Sequence, residues 1–165
     1  MDGESNFTLT SPDVKGQVRR IQVFNSEECG GGNISPHLIW SDAPKGTKSF
    51  ALTLYNKDAP TGSGWWHWVV FNIPSSVTEL AGNAGDPLSG LMPEGAVQSL
   101  NDFGLHGYSG PCPPVGDGIH EYMITLYALR TEHLDLCENS NPAKVGFQIN
   151  EHLLQKTSLV MYYQR

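Results

Sequence analysis

From Tyr108 to Ile119 the chain reads Tyr-Ser-Gly-Pro-Cys-Pro-Pro-Val-Gly-Asp-Gly-Ile, and no helix or regular strand can accommodate it. Its three glycines admit backbone angles that other residues avoid, and its three prolines fix φ and remove a donor. The segment is therefore expected to be a stiff loop whose free N–H groups are open to a ligand. Directly behind it, His120, Tyr122, Ile124, Leu126 and Ala128 alternate with Glu121, Met123, Thr125, Tyr127 and Leu129. Period two predicts a strand, with His120 and Tyr122 on one face at its mouth. A stiff roof over an imidazole and a phenol predicts a small polar pocket.

The other alternating runs set the architecture. Phe7–Ser11 and Val18–Phe24 read as two early strands, and Leu38–Trp40 as a short apolar one. Ser49–Asn56 alternates cleanly, with Phe50, Leu52, Leu54 and Asn56 on one face. After the Lys57–Gly64 loop, Trp65–Pro74 places His67, Val69, Phe71 and Ile73 together. Paired as an antiparallel hairpin, these two runs would bring Asn56, Asp58 and His67 to one end of the sheet. Residues 75–107 carry little period, Thr131–Leu136 suits a short helix, and Asn141-Pro142 caps a clearer one along Val145, Ile149 and Leu153. Ser158–Tyr163 closes as a strand. Many strands with few helices predict one all-β domain, an antiparallel sandwich with one or two short peripheral helices near the C-terminal end.

Composition narrows the function classes. Charged residues make up 16% of the 165-residue chain and its net charge is −7, which argues against a nucleic-acid or anionic-membrane surface. No apolar run reaches the roughly 18–20 residues that a membrane helix needs. Cys29, Cys112 and Cys137 are few and odd in number, and the opening Met1–Asn6 is acidic. A cytoplasmic protein with reduced thiols is the resulting expectation. The triple glycine after Cys29 lacks the lysine and spacing of a phosphate loop and reads as a flexible connection.

His67 and His120 both open strands directly after Pro/Gly loops, unlike His37, His133 and His152. Three chemistries suit them. The first is an anion pocket, with imidazole and loop N–H donors, a hydroxyl from Tyr108 or Tyr122, and Asp58 orienting one histidine. The second is a metal held by two histidines and a carboxylate, which no HxH or HxxxH spacing supports. The third is a hydrolase in which Cys112 is the nucleophile and His120 its base. Of the clustered tryptophans, Trp66 is the expected rim residue.

Lys57-Asp-Ala-Pro-Thr-Gly-Ser-Gly-Trp-Trp-His67-Trp68 and Tyr108–Tyr122 resemble the two signatures of the phosphatidylethanolamine-binding protein family. The wording is similar to the bacterial and archaeal Raf-kinase-inhibitor-like YbhB/YbcL branch. Ile34–Trp40, Pro44–Leu52, Asn101-Asp-Phe-Gly104 and Tyr162-Tyr163 fit as well. The resemblance spans nearly the whole chain, residues 1–165 as a single domain. It implies an antiparallel β-sandwich with Greek-key elements and an anion pocket at one end. That pocket would take phosphate, a carboxylate or a phospholipid head group such as phosphoethanolamine, with no cofactor and no metal. Carried over by position, Asp58, Pro60, His67, Pro113, His120 and Tyr122 would line it, with Tyr108 and Gly110 nearby and Asn56, Trp66 and Cys112 at the rim. Family members are described as kinase or protease inhibitors or scaffolds. That implies a non-enzymatic regulatory binding protein with a kinase or protease partner and a homodimer, or an interaction scaffold whose pocket is vestigial. No nucleic acid and no stable membrane insertion are implied. The chain departs from the family wording at Asn56, where aspartate is usual, at Lys57, where proline is, and at Glu121, where arginine is. Asn56 removes a negative charge, which should ease anion binding, and Lys57 adds a cation near the rim.

Overall fold

The computed structural model describes residues 6–165, so the acidic opening Met1–Ser5 lies outside the described residues. Two antiparallel sheets form. The smaller holds β1 (Thr8–Thr10), β2 (Leu38–Ser41) and β5 (Glu79–Leu80) in the order β1-β2-β5. The larger holds β3 (Ser49–Asn56), β4 (Trp65–Pro74), β6 (Val97–Gln98), β7 (His120–Leu129) and β8 (Leu153–Tyr163) in the order β6-β4-β3-β7-β8. One helix, α1 (Pro142–Glu151), lies near the C-terminal end.

Each face of the large sheet has its own core. Leu52, Leu54, Trp68, Val70, Ile124 and Leu126 pack between the sheets against Leu9, Leu38, Trp40 and Leu80. Ala51, Val69, Phe71 and Leu129 pack on the other face against Val145 and Ile149 of α1. The helix forms where Asn141 accepts the Lys144 N–H and Pro142 occupies the first turn. It stops at Glu151, so Leu153 opens β8 instead of extending the helical stripe. With both faces covered, β3 is buried at nearly every position.

Three expectations are corrected. Val18–Phe24 is no strand: a 3-10 turn forms at Arg20–Gln22, and the preceding Gln17 makes isolated bridges to Lys15 and Tyr162. Thr131–Leu136 forms no helix. The triple-glycine connection is not loose, because Gly31, Gly32, Asn33 and Ile34 donate their N–H groups to Phe24, Arg20, Val23 and Ile21. A Cβ on Gly31 would overlap the Val23 carbonyl, so glycine is what lets the two backbones touch.

β4 also departs from simple alternation. Leu54 pairs with Trp68 but Tyr55 pairs with Trp66, which leaves His67 as the extra residue of a bulge. A second irregularity lies between the Phe50–Ile73 and Leu52–Val70 pairs, beside Asn72 at φ 58°. Phe71 therefore faces α1 while Ile73 faces the inter-sheet core, although strict alternation puts them together.

Candidate functional site

At the end of the large sheet, the strand mouths and two loops enclose a cavity of about 150 Å³. Asn56 ends β3, Trp65 and His67 open β4, and His120 and Tyr122 open β7. Ala59, Pro60 and Thr61 close one side, Cys112, Pro113 and Pro114 another, and Phe103 a third. The bulge explains how His67 reaches it. An unpaired extra residue is free of the alternation that would send it toward α1, and it turns into the end of the inter-sheet space.

Two polar atoms in this lining have no partner. The Tyr122 side chain is 0% exposed and its hydroxyl makes no hydrogen bond, and the Trp65 indole N–H is equally unpaired. Buried polar groups without partners cost stability, typically about 1–3 kcal/mol each. Both residues line the cavity. Burial first, with Tyr163 and Asp58 adding to it, pushes the Tyr122 phenol well above its ordinary range, so it stays protonated. Arg165 opposes that shift, and its guanidinium donates to the Pro113 carbonyl and pairs with Glu28.

The two histidines are held in opposite tautomers. His67 Nδ1 lies 2.7 Å from the Ser109 carbonyl oxygen, which can only accept, so Nδ1 carries the proton. Burial lowers the His67 pKa to about 4 against the raising effect of the Ser109 and Gly110 backbones, with His120 lowering it further. The ring is thus neutral at pH 7. The Asn56 amide is oriented by the Asp58 N–H, which donates to its Oδ1 at 3.0 Å. Its Nδ2 must then donate to His120 Nδ1, at 2.9 Å. His120 therefore carries its proton on Nε2, 2.5 Å from a carboxylate oxygen of Asp117.

Of the residues expected here, the structure gathers Asn56, Pro60, His67, Cys112, Pro113, His120 and Tyr122 around the cavity. Four are placed elsewhere. Asp58 orients no histidine; it accepts the Glu121 N–H at 2.8 Å, and the orienting groups are Asn56 and Asp117. Tyr108 is buried with its hydroxyl on the Gln22 carbonyl, 2.6 Å away. Gly110 packs against the same carbonyl, where a Cβ would overlap it. Trp66 packs at a tilt on Tyr55 behind the sheet, and Trp65 is the tryptophan at the cavity.

The first residues of the roof loop have their N–H groups already engaged. Tyr108, Ser109 and Gly110 direct their N–H groups to Gly85, His67 and the Asn33 side chain. Lys57, expected to add a cation near the rim, pairs with Glu121 at 3.1 Å, and that contact raises its pKa.

Cys112 is bonded to Cys29 in a disulfide, so the reduced-thiol expectation fails for two of the three cysteines, and only Cys137 is free. The hydrolase reading fails with it, because a sulfur bonded to another sulfur is no thiolate nucleophile. Among the described residues, no group of three His, Cys, Asp or Glu side chains is placed to hold a metal. Iodoacetamide is expected to modify the folded protein once, at exposed Cys137; mass spectrometry showing two or three adducts would refute the pairing.

Sequence reasoning missed Trp65, Phe103 and Asp117. Phe103 packs edge-on against His67 and Trp65 with ring centroids 5.4 and 5.3 Å apart. Its neighbours explain the Asn101-Asp-Phe-Gly run. The Asn101 amide donates to the His67 and Gly107 carbonyls and to the Ser109 hydroxyl, and Asp102 accepts the Trp66 N–H. The run clamps the start of β4 to the roof loop.

Two antiparallel sheets with a pocket at one end of the larger define the class of fold, and comparison with known proteins gives the family. Residues 12–164 match the family described as Phosphatidylethanolamine-binding protein. The chain is 46% identical over 160 residues to the UPF0098 protein YbcL of Escherichia coli K12, covering 96% of this chain and 87% of that relative. It is 47% identical over 141 residues to YbhB of the same organism, covering 86% and 88%. The crystal structure of E. coli YbcL superposes with a TM-score of 0.95 at 45% identity, covering 98% of this chain and 99% of that one. That of the family homologue CT736 from Chlamydia trachomatis gives 0.79 at 28% identity, covering 96% and 97%. The chain belongs to the phosphatidylethanolamine-binding protein family.

Proposed function

We propose that this protein is a non-enzymatic binder of a small oxyanion, a phosphate in particular, with a regulatory rather than a chemical role. The observation that carries the reading is Tyr122, which lines the cavity and whose hydroxyl is buried, protonated and without a hydrogen-bond partner in the protein. The Trp65 N–H adds a second donor, and the field of Arg165 reaches the same place. A volume of about 150 Å³ suits a phosphate and excludes drug-sized ligands, whose pockets begin at roughly 300 Å³. The family's name points to a lipid head group as one source of such a phosphate, and this volume has room for the head group only.

The Cys29–Cys112 pairing favours an oxidising compartment over the cytoplasmic expectation, since glutathione keeps cytosolic thiols reduced.

Calorimetric titration with inorganic phosphate tests the reading. Tyr122→Phe removes a hydroxyl that bonds to no other group of the protein, so its thermal stability is expected to hold or rise. Its phosphate affinity is expected to fall by roughly tenfold, the worth of one hydrogen bond to a charged group. Equal affinity in wild type and Tyr122→Phe would remove the pocket from consideration.

A further inference from the structure

A second cavity lies on the other face of the large sheet, under α1. Its volume is about 120 Å³, and it is lined by Thr53 of β3, Trp66 and Val69 of β4, Tyr127 of β7, and Gly146 and Ile149 of α1. The two cavities share only the opening of β4: Trp65 and His67 line the one at the sheet end, and Trp66 lines this one. The oxyanion reading above does not involve it.

Thr53 is the one polar residue in the buried run from Phe50 to Leu54, and it is 4% exposed. A buried hydroxyl costs stability unless it is bonded. Its Oγ1 lies 3.1 Å from the Tyr127 hydroxyl, and either oxygen can be the donor. One bond between two hydroxyls uses one of their two hydrogens, so the pair keeps an O–H and lone pairs for a further partner. Gly146 is the second observation. Glycine in a helix interior destabilises relative to alanine. Here neither backbone nor packing demands it, since its φ is not positive and a Cβ would meet nothing within 4 Å. What the glycine preserves is open space in the cavity wall.

Among the described residues, none that lines the cavity carries a charge at pH 7, so an ion entering it would lose its water without a counter-charge. Trp66, Val69, Tyr127 and Ile149 supply apolar wall, and an apolar cavity of about 150 Å³, close to this size, takes benzene. We propose that this cavity is a second binding site, for a small neutral aromatic alcohol of phenol size. The ring packs among the apolar side chains, and the hydroxyl bonds to the Thr53–Tyr127 pair.

Phenol and benzene, each titrated at pH 7 into the 15N-labelled protein and followed by the tryptophan indole resonances, test the proposal. Phenol is expected to shift the Trp66 indole signal, to leave that of Trp65 in place, and to bind roughly three- to tenfold more tightly than benzene, the worth of one net hydrogen bond. A shift at Trp65 instead would put phenol in the cavity at the sheet end and overturn the proposal. Binding of neither probe, or equal binding of both, would overturn it as well. Thr53→Val removes the hydroxyl at nearly constant shape, so the preference for phenol is expected to vanish; a variant that keeps it, folded by its circular dichroism, would count against the hydroxyl pair and sink the proposal. Gly146→Ala is expected to raise the Tm and to weaken phenol at least threefold, a combination that loss of fold cannot produce. Unchanged phenol affinity in that variant would likewise overturn the site.

Discussion

Cys29→Ala combined with Cys112→Ala is expected to lower the unfolding free energy by ~4.5 kcal/mol. The bond joins residues 83 apart in sequence, and closing a loop of that length removes that much chain entropy from the unfolded state. Few single features of a domain this size match it, because net stability is only about 5–15 kcal/mol. Urea unfolding followed by tryptophan fluorescence measures the effect, and a loss below 1 kcal/mol would show that the cross-link is incidental. Phosphate affinity is expected to change much less than stability. Asn33 on the Gly110 N–H, the Phe24 N–H on Pro111 and Arg165 on Pro113 hold the roof loop without help from the sulfurs.

The second large effect is on pH dependence. The His67 pKa falls from 6.5 to about 4 on folding, chiefly through burial. The unfolded chain therefore binds the proton more readily, and acid favours unfolding. The sign follows: this contribution is fully present above pH 6.5 and is lost progressively as the pH falls toward 4. Its size is on the order of 3 kcal/mol. Comparing the urea midpoints of wild type and His67→Gln between pH 7 and 4 isolates it, since the variant lacks the titrating ring. Parallel midpoints across that window would mean that the ring is not buried as described.

The strongest elements were legible because their residues fit one simple rule each. Ser49–Asn56 and Trp65–Pro74 are bounded by Pro/Gly turns and fill sheet positions, and both strands form over those spans. Asn141-Pro142 is a local capping signal, and the helix starts there. The His120–Tyr122 pairing followed from period two and holds, with ring centroids 6.3 Å apart. What stayed hidden depends on contacts between distant segments. Bulges leave no mark in a period count, so the faces of Phe71 and Ile73 and the choice between Trp65 and Trp66 could not be read. Gln17–Ile34 is shaped by contact with the roof loop and the end of β8, which no local propensity reports. Three cysteines permit several pairings, and only the fold chooses among them. Asp117 was one acidic residue among 17, and only the turn from Pro114 puts it beside His120.

The disulfide also divides the chain mechanically. Tension applied at the two ends passes from Cys29 to Cys112 through the sulfurs, and the residues between them are bypassed. That shielded stretch contains β2 to β6, which includes two of the three strands of the small sheet and three of the five of the large one, from its β6 edge to central β3. Its 83-residue span corresponds to about 280 Å of contour length. Stretched in an optical trap, the oxidised molecule would stop short of the reduced one by that distance, with α1, β7 and β8 yielding while the 56–68 bend stays outside the line of force.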